Sequence, residues 1–456
     1  MLNKYDQFLE DNMDKSIDEL TILAAQPSVS AQNWGLGECA QLIKSLLEKR
    51  GFQVELLSTN GSTPVVFGRI KGKSDKTLLI YNHYDVQPVE PLDLWETPPF
   101  EPQLRDGKLF GRGVNDDKGH IVNRLFAIDA ILAADGELPC NINWVMEGEE
   151  ETTSEAFSEV VRADPQRFAA DACIWEFGGV DEKDRPLQFL GLRGICYVEF
   201  SVETANQDVH SGTGGSIMPN AAWRLVWALD SLKGPDENIR IAGFYNKVKP
   251  VSAKTRMLLE ALPDEGEQLM KQYGIKSFLK GLKGGAELRL AGAHEPTCTI
   301  CGLTSGYQGE GSKTVQPARA SAKVDFRLVP DQVPEEIFEL LRAHLDRNGF
   351  EDVQIKLLSK DRPAVTDPED PFVDLVVNCA KDVYGMPMLI IPCVGGSGPN
   401  AILAEFHEFP IVSAGVSYPY AQAHAPNENV RLDLYLKGAK HIVRIIEAFS
   451  KDGSPA

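Results

Sequence analysis

Asn141-Ile-Asn-Trp-Val-Met-Glu-Gly-Glu-Glu-Glu151 is an apolar run of strand length that ends in three consecutive carboxylates. Two more short runs frame it, Leu79-Ile-Tyr-Asn82 upstream and Ala172-Cys-Ile-Trp175 downstream. Between the first two, Lys118 to Ala134 carries Ile121, Leu125, Ile128 and Leu132 on one helical face. Strand-length runs alternating with helical segments predict an α/β layer architecture. The carboxylates pose a separate problem. Side by side they repel one another, and leaving them partly desolvated at a strand end is costly unless protons or cations compensate. One solution is a solvated acidic turn before a helix, capped by Thr152, Thr153 or Ser154. The other is a bound metal.

The length of 456 residues predicts two domains. At Cys196-Tyr-Val-Glu-Phe-Ser-Val202 the pattern changes to the alternation of a half-exposed antiparallel strand, which puts a domain change near residue 195. Beyond it, 220–231 and 335–347 read as helices and Ser321-Ala-Lys-Val-Asp-Phe-Arg-Leu-Val329 alternates. Such a mixture suits a small α+β sandwich whose sheet has one helix-covered face. Met388-Leu-Ile-Ile-Pro392 and Ile411-Val-Ser-Ala414 are apolar again and resemble the first part. The expected organisation is therefore 1–194 and 366–456 as one domain, with 195–365 inserted.

A formal net charge of −20 argues against nonspecific nucleic-acid binding and against an anionic membrane surface, because both require a positive field. A small substrate or a cation is the easier partner. No apolar stretch is long enough to cross a bilayer. The amphipathic start, Met1 to Asp11, lacks the basic residues and apolar block of a secretory signal. Most of the eight cysteines lie in apolar segments, as buried free thiols do, so the cytoplasm is the expected compartment. Cys298 and Cys301 form a lone Cys-x-x-Cys with no second pair, and both read as packing residues.

His83 follows the first strand and opens His83-Tyr-Asp85, in which Asp85 is spaced to orient a ligating imidazole. Gly111-Arg-Gly-Val-Asn-Asp116-Asp117-Lys-Gly119 is a glycine-punctuated loop before a helix; its acidic residues and spacing do not fit a phosphate loop. Glu176 directly follows the strand ending at Trp175, and His424 follows the strand ending at Ala414. In open α/β sheets ligands collect beyond the carboxyl ends of strands. His83, Asp116, Glu151, Glu176 and His424 would then share one rim. Two imidazoles and three carboxylates are too many for one tetrahedral site with an open position; they suit two ions about 3.5–4 Å apart. His120, His294, His344, His407 and His441 read as ordinary structure.

Together with Glu147-Gly-Glu-Glu150-Glu151, Asp208-Val-His210-Ser-Gly212, Gly309-Glu-Gly-Ser-Lys-Thr-Val315 and Arg327-Leu-Val-Pro330, these motifs resemble the metallopeptidase family of aminoacylases, glutamate carboxypeptidases, desuccinylases, acetylornithine deacetylase and cytosolic nonspecific dipeptidases. The resemblance implies a zinc-peptidase-like α/β catalytic domain, with a mixed sheet flanked by helices, and an inserted α+β lid and dimerisation domain. It implies that Asp116 bridges two divalent ions, that His83 and Glu176 complete one site, and that Glu151 and His424 complete the other. Zinc heads the expectation, and the oxygen-rich set also suits manganese or cobalt. Glu150 would be the general base, Asp85 the partner of His83, and Glu149 a bystander. His210 would stabilise the oxyanion across a homodimer. Arg327 and the Gly395–Gly398 loop, with Gly396 and Ser397, would hold a substrate carboxylate, and Asn220 is either a substrate contact or a helix cap.

The motifs Leu192-Arg-Gly-Ile-Cys196-Tyr and Gly306-Tyr-Gln-Gly-Glu-Gly-Ser-Lys313 look most like the nonspecific dipeptidase branch, which implies hydrolysis of dipeptides or short peptides with a free C-terminal carboxylate. Position 176 departs from it, being Glu where that branch often carries Asp. The longer carboxylate is familiar in carboxypeptidases and deacylases, so an N-acyl-amino-acid amidohydrolase is the alternative. A non-catalytic binding protein sits poorly with retention of Glu150 and every candidate ligand.

Overall fold

The apolar run at 141–147 lies inside a six-stranded mixed sheet. The computed structural model describes residues 3–59 and 61–451. Strand order is Gln53–Leu57, Val65–Ile70, Asn141–Glu147, Thr77–His83, Ala172–Trp175 and Ile411–Ser413. The first two form an antiparallel edge, and the last four run parallel. His83 lies opposite Glu147, and Ser413 opposite Trp175, so the four parallel strands end along one rim.

Alternation along these strands divides the two faces. Leu79, Tyr81, Val145 and Trp175 share one core with Phe157 and Phe168. There the Tyr81 and Trp175 rings stack with centroids 3.7 Å apart. The helix Lys118–Asp135 lies on the opposite side and is buried along most of its length, not on one face alone. Its flanks are covered by Lys4–Asp11, Met13–Ala25 and Leu432–Lys451, and a helix enclosed on all sides has no reason to keep a polar stripe.

The chain folds into two compact units. One comprises Met1–Gly191, Thr366–Pro392 and Ile402–Ala456; the other comprises Leu192–Val365 and Cys393–Ala401. Of the two apolar runs near the C-terminus, only Ile411–Ser413, buried throughout, enters the main sheet. Leu389–Ile391, partly exposed, instead joins Pro186–Phe189 and Gly179–Val180 in a three-stranded side sheet.

The second unit is built on an antiparallel four-stranded sheet, in the order Thr299–Ser305, Arg319–Leu328, Gly194–Glu203, Gln354–Asp361. Helices Ala221–Leu232 and Pro334–Arg347 cover one face, where Val198, Phe200, Leu225, Phe326 and Leu341 form the core. Fully burying each such side chain stabilises by about 1.5–3 kcal/mol. Cys298 is buried as expected, but Cys301 is exposed. It sits where the register slips between Ile300 and Gly302 on the edge strand, and the bulge turns it away from any packing role. Among the described residues no helix is long and apolar enough to cross a membrane.

Candidate metal centre and substrate-binding residues

The rim of the parallel strands brings together all five candidate ligands. His83 ends its strand with Nε2 3.0 Å from Asp116 Oδ1 and 3.9 Å from Glu176 Oε2. His424 approaches the other oxygen: its Nε2 lies 2.9 Å from Asp116 Oδ2 and 3.2 Å from Glu151 Oε2. Asp116 thus stands between two imidazoles. Its loop turns sharply to put it there, with Gly113 at φ +82°, where a Cβ would lie 2.8 Å from Val86 Cγ1.

The run of three glutamates after the strand separates into distinct jobs. Glu149 stays with the helix that follows: its Oε2 accepts from Ala156 N at 3.1 Å, at the start of helix Glu155–Ala163. The amides of Glu150 and Glu151 point the other way, donating to Asp85 Oδ1 at 3.2 Å and Oδ2 at 3.0 Å. Asp85 is fully buried, and its carbonyl accepts from His83 Nδ1 at 3.1 Å. That bond puts a proton on Nδ1 and aims the Nε2 lone pair at Asp116. A lone pair facing a carboxylate oxygen needs a proton or a cation between them.

The electrostatics state the same need. His83 is held well above its usual range: burial opposes its charge, but Asp116 and Asp85 outweigh burial. His424 is raised to about 10 by hydrogen bonds to Asp116 and Glu151. Burial, first, raises Glu176 well above the carboxylate range, with Glu150 adding to it and His83 opposing. Glu150 is pushed up to about 7, by burial first, with His83 opposing and Glu151, Asp116 and Asp85 adding to the effect. Glu151 Oε1 and Glu176 Oε2 are buried without a hydrogen-bond partner among the described residues. Donor atoms bound at about 2.0–2.2 Å around one ion stand about 3–3.5 Å from one another, so the donor set and most of its spacings fit divalent cations.

Among the described residues, two groups could hold an ion: Asp116, Glu151 and His424, and His83, Asp117 and Glu176. Asp117, next to Asp116 across a cis peptide, is already engaged. Its Oδ2 accepts from Asn82 Nδ2 at 2.5 Å and His83 N at 3.2 Å, and Oδ1 lies 2.7 Å from His120 Nδ1. His120 Nε2 in turn accepts from Val416 N at 3.0 Å, so its role is structural although it lies beneath the site.

Sequence reading missed several supports of this centre. Gln87 Nε2 donates to Glu151 Oε2 at 2.7 Å. Arg124, on the buried helix, reaches the carbonyls of Tyr81, Trp175, Glu176 and Ala414 at 2.6–3.2 Å and so ties three strand ends together. Most of its partners are main-chain atoms far away in sequence, which no local motif announces.

The remaining candidates belong to the second unit. Arg327 Nη1 donates to Ser397 Oγ at 2.9 Å and its Nε to Asp325 Oδ2 at 3.0 Å. Gly396 O accepts from Arg193 N at 2.8 Å. Asn220 Oδ1 accepts from Trp223 N at 3.2 Å, the N-cap bond of helix Ala221–Leu232. His210 is exposed; its Nδ1 accepts from Gly212 N at 3.0 Å, and its Nε2 lies 3.3 Å from Thr314 Oγ1.

Histidines and carboxylates gathered at the carboxyl ends of parallel strands, around buried oxygens that lack donors, are suited to holding divalent metal ions, as metal-dependent hydrolases do. The chain belongs to the M20 peptidases: a family model described as Peptidase family M20/M25/M40 matches residues 79–448. It is 28% identical over 468 residues to the Cys-Gly metallodipeptidase dug1 of Schizosaccharomyces pombe, covering 96% of each chain. It is 27% identical over 405 residues to the Beta-Ala-His dipeptidase of Rattus norvegicus, covering 85% of this chain and 80% of that one. Among solved structures, an M20 family metallo-carboxypeptidase, Sso-CP2 from Sulfolobus solfataricus, aligns with TM-score 0.87 and 34% identity over 95% of this chain and 99% of the other. The di-peptidase Dug1p of Saccharomyces cerevisiae aligns with TM-score 0.79 and 25% identity over 99% of each chain.

Proposed function

We propose that this chain hydrolyses the amide bond of dipeptides or short peptides with a free C-terminal carboxylate, at a centre of two divalent ions. The observation that carries the reading is Asp116, whose two oxygens lie 3.0 and 2.9 Å from the imidazoles of His83 and His424. Asp116 would bridge the ions, with Glu176 joining His83 on one and Glu151 joining His424 on the other. Zinc is the first choice for this donor set; manganese or cobalt also suit its oxygens. When bound, such ions supply a hydroxide nucleophile at neutral pH and polarise the scissile carbonyl. Glu150 takes the proton of the attacking water and delivers it to the leaving amine. Asp85 orients His83 and holds the Glu150–Glu151 turn. Arg327, with Ser397 and the Gly396 backbone, receives the substrate carboxylate, and His210 stabilises the oxyanion; Asn220 acts chiefly as a cap.

A homodimer formed through the second unit fits its surface. Trp223 and Trp227, 58% and 54% exposed, stack with centroids 5.8 Å apart on the outer face of their helix. The edge strand Thr299–Ser305 of the same unit exposes Ile300 and Leu303. The free state of all eight cysteines supports a cytoplasmic setting.

The likeness to Sso-CP2, a metallo-carboxypeptidase, favours a second reading, in which longer peptides lose their C-terminal residue. One experiment tests both. Rates are compared on unblocked dipeptides, longer peptides, and N-acetyl and N-succinyl amino acids, with zinc, manganese or cobalt supplied to chelated enzyme. Fastest turnover of unblocked dipeptides is expected. Preference for longer peptides selects the second reading, and preference for N-acyl substrates selects an amidohydrolase. Full activity in chelator without any transition metal refutes the metal centre.

A further inference from the structure

The loop that carries Asp116 is gripped by a side chain outside the proposed chemistry. Glu428 lies four residues beyond His424, and its carboxylate is fully buried. Its Oε2 accepts from Arg112 Nη1 at 2.7 Å and from Gly113 N at 2.9 Å. Its Oε1 accepts from Asn115 N and Asp116 N, each at 2.9 Å. Four donors converge on two oxygens, so both oxygens act as acceptors. Amides that turn inward together in a tight loop make a cradle for an anion. Here the anion comes from the segment that delivers His424.

The main chain repeats the link. Gly111 N donates to Glu428 O at 3.0 Å, and Asn429–Arg431 pairs antiparallel with Lys108–Phe110. One buried residue therefore sets both the position of the Asp116 amide and the exit of the His424 loop. Ligand placement to a few tenths of an ångström depends on such supports.

We infer that Glu428 is a positioning residue of the metal centre: by holding the Asp116 amide it fixes the Asp116 carboxylate between His83 and His424. The inference rests on the reading of Asp116 as the bridging ligand.

The test is metal affinity, not turnover. Metal-free parent, E428Q and R112M are titrated with cobalt and with zinc against a competing chelator, and the thermal melt of each metal-free protein is recorded. In E428Q an amide nitrogen must face two donors, so the tie to the loop is lost on one side. Metal affinity at least tenfold below the parent is expected, within the roughly 10–100-fold range for the partners of ligands. R112M keeps every amide contact of Glu428; it is expected to melt earlier but to bind metal within threefold of the parent. E428Q binding within threefold of the parent overturns the inference, and so does R112M binding as weakly as E428Q. Should E428Q not fold, Glu428→Asp carries the same test, since it keeps the anion and shortens its reach; parental affinity in it overturns the inference. Failure of the parent itself to bind two ions refutes the metal-centre reading instead and is recognised separately.

Discussion

Replacing Asp85 by Asn changes one atom and disturbs three residues of the proposed centre. The carboxylate accepts from Glu150 N at 3.2 Å and Glu151 N at 3.0 Å, and its Oδ1 lies 3.3 Å from His83 Nδ1. An asparagine keeps only one acceptor. If its oxygen faces Glu151, its NH2 meets the Glu150 amide and the His83 N–H, donor against donors; if flipped, it meets the Glu151 amide. A buried bond to a charged group is lost either way, about 1.5–3 kcal/mol. At 1.4 kcal/mol per tenfold this is roughly 10–100-fold in the placement of the Glu150–Glu151 turn and in metal affinity. Because Glu150 and Glu151 move together, turnover and metal affinity should fall together. The assay pairs chelator-competition titration with steady-state rates at saturating metal. If D85N binds metal and turns over within threefold of the parent, Asp85 does not organise the centre.

Glu150→Gln is expected to bind metal as the parent does while kcat falls by roughly 10²–10⁴-fold, the usual worth of a general base; a kcat within tenfold removes Glu150 from proton transfer. His441, buried with Nε2 donating to Val376 O at 3.0 Å, has its pKa lowered by burial to about 4 from 6.5. Its lowered pKa means the unfolded chain binds the proton more tightly: stability is fully present above about pH 6.5 and declines as pH falls toward 4, by about 3 kcal/mol in all. Urea melts of parent and His441→Gln across that window should show the shallower pH dependence in the variant; equal slopes refute the assignment. If the proposed homodimer forms through this face, Trp223→Glu combined with Trp227→Glu should dissociate it by placing two charges per protomer in an apolar interface; a parent that sediments as a monomer, or an unchanged sedimentation coefficient in the variant, rejects that face.

The gathering of these groups on one rim was legible because several of them sit at or just beyond strand ends. His83, Glu150, Glu151 and Glu176 follow apolar runs directly, and strand ends are where a parallel sheet gathers ligands. The supports were not legible. Glu428 and Arg124 act largely through main-chain amides and carbonyls, and a backbone partner has no side-chain signature to read. The same limit explains the helix Lys118–Asp135: its apolar face was evident, but the coverage of its other sides came from helices at both ends of the chain. Leu389–Ile391 shows that an apolar run states a preference for strand without naming its neighbour.

Asp116 and His424 are 308 residues apart in sequence. On a ribosome the residues of the inserted unit emerge between them, so a growing chain holds His83, Asp116, Glu151 and Glu176, four of the proposed ligands, long before His424 arrives. Throughout that interval the Ala172–Trp175 strand has an unpaired edge, because its neighbour Ile411–Ser413 is not yet made. The nascent chain is thus unarmed and sticky at once: the proposed centre still lacks His424, and the exposed sheet edge calls for shelter until Ile411–Ser413 is made.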